Sequence, residues 1–208
     1  MAPAFALRRG RPAPQQSTPT TCGSICLVVA RMLTDTAYAE RVRRRGLAAE
    51  ELTVRNRTNR LLATPTSWQV PWPRALGTPP WGAARELARL LGVGRRGVRW
   101  RVIRWAGRSA RAELLRRWES SLASDGPVLL YVGSRWLPRH VTMLVPAADG
   151  VGVDVFEPSA GEVLELDLSA FVAGRLSLAG WSRPWLVVGR APGPRADAAE
   201  WSVVDVGN

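Results

Sequence analysis

Hydrophobic positions change their period along this chain, and the changes mark out its elements. Over residues 22–33, Ile25, Leu27, Val28, Val29, Met32 and Leu33 leave no polar face, the pattern of a buried helix. Residues 37–62 reverse that balance. Arg41, Arg43, Arg44, Arg45, Arg55, Arg57 and Arg60 stand among Glu40, Glu50 and Glu51, which predicts a solvated helical face with a turn near Gly46. Residues 63–80, dense in Pro and Trp, read as a loop that must pack its aromatic side chains. A helix over 81–91 ends at Gly92, and residues 98–103 suggest a short strand. Leu114, Leu115, Trp118 and Leu122 recur at helical spacing over 110–122, behind Ser109 as N-cap, and belong to the core. Beyond Gly126-Pro127 the period shortens. Apolar runs at 128–132, 141–145, 151–156 and 163–168, with turns at 147–150 and 158–161, predict successive strands. A short helix at 169–174 and a closing strand at 185–188 complete an antiparallel sheet. Helices first and strands afterwards is an α+β order.

Composition narrows the class. The chain has 208 residues, 46% hydrophobic and 22% charged, enough for one domain with a substantial core. Its net charge is +12, and every one of its 29 basic residues is Arg. Such a charge invites a nucleic-acid reading. Coding bias that replaces Lys with Arg explains the same numbers, so the reading argues against nucleic acid as a partner and keeps an acidic protein, on the Arg-rich helical face, as a candidate. The absence of Lys also fits a protein that makes or suffers isopeptide bonds. Two cysteines four residues apart form no disulfide framework, and a single histidine is too little for a Cys/His zinc site. The first residues carry Arg8, Arg9 and Arg11 without an apolar run behind them, unlike a secretory signal, and no stretch of about 18 apolar residues predicts a membrane span. The expectation is a cytoplasmic protein.

Within this frame one stretch carries chemistry. The polar run Gln16-Ser17-Thr18-Pro19-Thr20-Thr21 turns abruptly into the apolar helix at Cys22, with Thr21 as the expected N-cap. A thiol at a helix start meets free amides and the positive end of the dipole, both of which favour the thiolate. Its base must be His140, the only histidine, where Pro138-Arg139-His140 leads into the strand Val141-Thr142-Met143-Leu144-Val145. Cys26, one turn on, reads as a small buried hydrophobe.

Gln16, Cys22-Gly23, the His140 strand and Val153-Asp154-Val155-Phe156-Glu157-Pro158 together resemble a papain-like cysteine peptidase, closest to the C39-like group. The resemblance spans roughly residues 14–171. In that group a glutamine lies six residues before the cysteine, as Gln16 does here, and the third residue, usually Asp before Pro, follows the histidine by one hairpin. Here Glu157 holds that place, a departure in residue type. The resemblance implies an N-terminal helical lobe bearing the Cys helix and a C-terminal antiparallel sheet bearing the histidine. It also implies an arm at 1–13, a catalytic domain at 14–190 and a tail at 191–208, where Trp201-Ser202-Val203-Val204 could dock.

The implied roles are physical ones. Cys22 attacks a carbonyl as thiolate, and His140 holds the ion pair and later protonates the leaving amine. Glu157 fixes the imidazole, and alternation from Val151 sets it on the face of Val153 and Val155, with Asp154 pointing the other way. Gln16 and the Cys22 N–H stabilise the oxyanion. No metal or organic cofactor is required. Trp136 and the 68–81 loop are candidate cleft walls. Three functions fit: hydrolysis of a peptide or protein amide, transfer of the same thioester to an amine as in a transglutaminase-like acyltransferase, or binding by a non-catalytic module of this fold.

Overall fold

A computed structural model describes residues 5–60, 62–64, 67–68 and 72–191 of the chain. The expected docking of Trp201 to Val204 lies outside the described residues. The first half supplies four helices, α1 (Cys22–Thr34), α2 (Thr36–Arg45), α3 (Leu47–Thr58) and α4 (Pro80–Leu90). Between α3 and α4 lie two short strands, β1 (Leu62–Thr64) and β2 (Ser67–Trp68), and a 3-10 turn at Arg74–Leu76. The second half gives β3 (Val98–Val102), α5 (Arg108–Asp125), β4 (Val128–Gly133), β5 (Pro138–Pro146), β6 (Val153–Glu157), β7 (Glu162–Glu165), α6 (Leu168–Val172) and β8 (Arg183–Arg190). Six strands form one antiparallel sheet in the order β3-β8-β4-β5-β6-β7, so the architecture is α+β.

The predicted helical region at 37–62 divides at Gly46, which stands at φ 91°, and ends at Thr58, with Leu62 already in β1. Asp35 starts α2 by accepting a hydrogen bond from the Tyr38 N–H at 2.8 Å. Two expected caps differ. The α5 helix opens behind Gly107 without a side-chain cap, placing Ser109 inside its first turn. Thr21 occupies the N-cap position of α1, but its hydroxyl donates backwards to the Thr18 carbonyl at 2.8 Å. The run at 163–168 stops as a strand at Glu165, because Asp167 caps α6 through the Ala170 N–H.

Side-chain alternation along the strands builds two cores. Leu129, Tyr131, Val141, Met143 and Phe156 face α1 and α4, whereas Leu130, Val132, Leu144, Val153 and Val155 face α5 and α6. The sheet is therefore the middle of three layers. The helical first half brings the Cys helix to one face of the sheet that carries His140, and α5 and α6 cover the far face, with Trp118 packed on Phe171 at 5.2 Å between ring centroids. Burial on both faces also explains why every position of β4 is apolar or glycine. Among the described residues no helix is long and apolar enough to cross a membrane.

Candidate active site

The thiol sits where a turn becomes a helix. Thr18 and Thr21 close that turn, the Thr21 N–H donating to the Thr18 carbonyl at 3.2 Å, and α1 starts at Cys22 with residues 22–30 all buried. Against it lies the segment after the 3-10 turn. Gly77 stands at φ 72°, and a Cβ there would lie 3.2 Å from the Thr20 carbonyl and 3.7 Å from Cys22 Sγ, so glycine lets the backbone pass close to the sulfur. Thr78 follows, fully buried. Its hydroxyl meets Ser24 Oγ at 3.2 Å, and its carbonyl accepts from the Tyr131 hydroxyl at 3.0 Å, joining α1, this segment and the sheet.

His140 reaches the same place from the sheet. It stands opposite Val132 on β5, two residues into the strand. Met143 pairs with Phe156 and Leu144 with Val155. Continuing that register sets Thr142 opposite Glu157 and leaves His140 diagonal to it on one face, within reach of a long side chain. The contact is made: His140 Nε2 lies 2.6 Å from Glu157 Oε1, with both side chains almost completely buried. Cys22 is the other side chain that acts on the imidazole, and it too raises the His140 pKa. With Nε2 committed to Glu157, Nδ1 is the ring nitrogen that remains for sulfur.

The charges follow from these contacts. Burial pulls the His140 pKa down, but hydrogen bonds to Cys22 and Glu157 and their negative charge outweigh it, raising the value to about 9. Burial pushes Glu157 up, but it receives His140, the Ser159 N–H at 2.9 Å, the Ser159 hydroxyl at 2.7 and 2.8 Å and the Ala160 N–H at 2.8 Å, which together hold it at about 2. An imidazolium held by the Glu157 carboxylate is the protonation state His140 favours at neutral pH. Cys26 differs. Its buried thiol is raised well above the ordinary value, mainly by desolvation, and it points at the Val141 carbonyl at 3.6 Å.

Gln16 arrives on the arm that precedes α1. Its N–H donates to the Pro158 carbonyl at 2.8 Å, and the Ala13 N–H donates to Gly161 at the same distance, so the arm runs beside the turn that holds Glu157. Gly161, at φ 69°, has the Ala13 carbonyl 2.8 Å from where a Cβ would stand, and only glycine allows the arm so near. The Gln16 Oε1 atom is buried without a hydrogen-bond partner. The four predicted site residues thus gather at one end of the sheet: His140 and Glu157 joined by a hydrogen bond, Cys22 acting on the same imidazole, and Gln16 through its backbone beside Glu157. Asp154 points to the opposite face, as alternation requires. Arg9 approaches it with Nε 3.1 Å from Oδ1, off the line of a hydrogen bond, so the contact is coulombic. The candidate cleft walls fare differently: Trp72 packs edge-on against Trp81 at 5.3 Å, and Trp136 is 72% exposed.

Two supports escaped the sequence. Glu51, assigned there to a solvated face, is completely buried in α3 and accepts the Ser17 N–H on both oxygens at 3.1 and 3.2 Å, fixing the residue after Gln16. Ser159 grips Glu157 with both its backbone and its hydroxyl. The signal for Ser159 was available in Glu-Pro-Ser-Ala-Gly, a turn whose small polar residue follows a carboxylate by two. No protein-family model matches the chain, and no curated protein matches it.

Proposed function

We propose that the chain is a cysteine peptidase of the papain-like kind, akin to the C39-like group, which cleaves a peptide or protein amide bond through a thioester on Cys22. The observation that carries this reading is the buried His140–Glu157 pair, Nε2 to Oε1 at 2.6 Å, with the buried Cys22 side chain acting on the same imidazole.

Each step has a group placed to perform it. The reactive state pairs a Cys22 thiolate with the His140 imidazolium, and Glu157 stabilises the cation and fixes the ring. The thiolate attacks the substrate carbonyl carbon, and the carbonyl's π electrons move to oxygen. That oxyanion is met by N–H groups at the start of α1 and by the Gln16 amide, which turned over would place Nε2 where an unpartnered Oε1 now sits. Collapse of the adduct breaks the C–N bond, with the imidazolium proton going to the leaving amine. Water then attacks the thioester, giving its proton to His140; the C–S bond breaks, returning the Cys22 thiolate beside the imidazolium, and the carboxylic acid leaves.

The experiment is intact-protein mass spectrometry during turnover of a peptide library, with and without an added small amine. The expected result is an acyl adduct on Cys22 and hydrolysed peptides, both abolished by Cys22→Ser. Amide products in place of acids would assign the same thioester to an acyltransferase. Absence of any adduct or product across the library would overturn the reading.

A further inference from the structure

Next to the site, the hairpin end of the sheet presents aromatic surface to solvent. Trp105 is 78% exposed, Trp136 72% and Leu137 42%. They belong to one patch: Trp105 meets Trp185 edge-on at 6.4 Å, the Arg104 guanidinium lies over the Trp185 ring at 5.4 Å and donates to the Arg135 carbonyl at 3.1 Å, and Arg135 covers the Trp136 ring at 4.6 Å. The loop holding Trp136 is built rather than slack. Ser134 Oγ accepts the N–H groups of Trp136 and Leu137 at 3.1 and 3.2 Å, and the Trp185 indole N–H donates to the Ser134 carbonyl at 2.8 Å. Two indoles held out in water by such a frame cost stability unless something covers them.

We propose that this patch docks an acidic peptide segment carrying bulky apolar side chains. Charge decides the occupant. The segments that form the patch, residues 95–112, 127–148 and 168–190, contain no Asp or Glu, and Arg104, Arg135 and Arg139 stand on it. Trp and Arg side by side make the composition of strong binding centres. Position decides what kind of chain: Leu137 directly precedes β5, whose third residue is His140, so a peptide lying over Trp136 continues towards Cys22. As a docking surface for substrate the proposal rests on the peptidase reading, whereas the binding itself needs no catalysis.

The test pans a random-peptide display library against the Cys22→Ser chain and against the same chain with Trp105→Ala and Trp136→Ala. Enrichment of Asp and Glu among aromatic or Leu residues is expected, and synthetic copies should bind the parent about tenfold or more tightly than the double variant, with affinity falling as salt rises. Arg135→Glu should weaken the same peptides and favour basic ones. Selected peptides without acidic enrichment, or with equal affinity for parent and double variant, would overturn the proposal. So would a single-stranded oligonucleotide that binds the same tryptophans more tightly than any selected peptide. Docking without turnover by the Cys22 chain would sink the peptidase reading alone, and turnover without tryptophan-dependent docking would sink the patch alone.

Discussion

Replacing Glu157 by Gln keeps the shape of the side chain and an oxygen for His140, but deletes the charge. With the carboxylate present, His140 is raised from 6.5 to about 9. At about 1.4 kcal/mol per unit, this is roughly 3 kcal/mol in favour of the imidazolium, shared between Cys22 and Glu157. An opposite charge at hydrogen-bonding distance shifts a partner by about 1 to 3 units, so Glu157→Gln should lower the His140 midpoint by at least about 1 unit. The chain has a single histidine, so a pH titration of its imidazole proton resonances by NMR reads this residue alone. Linkage fixes the sign of the stability effect. The raised His140 contributes stability fully below pH ~6.5 and loses it as pH rises through about 9, whereas the lowered Glu157 contributes above pH ~4.5 and loses it as pH falls towards about 2. The advantage of wild type over the variant in urea unfolding should therefore be greatest between those limits and shrink on either side. A wild-type midpoint near 6.5, or one that Glu157→Gln leaves in place, would refute the reasoning.

If the proposed oxyanion role of the Gln16 amide holds, Gln16→Ala should lower kcat by about 100-fold or more while KM changes little; an equal effect on KM would point to substrate binding instead. Glu51→Ala removes the acceptor of the Ser17 N–H and empties a fully buried position, and should cost about 1 to 3 kcal/mol in urea unfolding, with Glu51→Gln milder, and an unchanged midpoint would contradict its anchoring role. Arg9→Ala removes the cation beside the buried Asp154. The guanidinium is about one-third exposed, so the expected loss is only about 1 kcal/mol near neutral pH, vanishing in acid as Asp154 takes a proton; a loss that persists in acid would mean packing, not charge.

Much of the fold was legible because most elements speak through local pattern. The α5 leucines and Trp118 announced their buried stripe, and apolar runs between turn residues located four of the sheet's strands. What failed was decided elsewhere in space. Glu51 reads as solvated among arginines, because the N–H it accepts belongs to Ser17, on the arm rather than on its own helix. Thr21 reads as a cap because nothing local reveals the preceding turn that takes its hydroxyl. The middle position of the sheet was hinted at by the unbroken apolar run of β4, since a strand covered on one face alternates and a strand covered on both does not. In the site, Cys22 and His140 were accessible through scarcity, one histidine and one cysteine at a helix start. Glu157 was reached through the family resemblance, with strand alternation in support. The exposed tryptophans were not, because a Trp in a loop gives no local sign of facing solvent rather than the core.

The central claim is that Cys22 is activated by His140. The measurement that addresses it most directly is the pH dependence of Cys22 alkylation by iodoacetamide, followed by peptide mass spectrometry with Cys26 as internal reference. The account predicts that Cys22 is alkylated far faster than Cys26 at neutral pH, and that His140→Ala removes most of that excess. Cys22 and Cys26 reacting alike, or a Cys22 profile indifferent to His140→Ala, would contradict it.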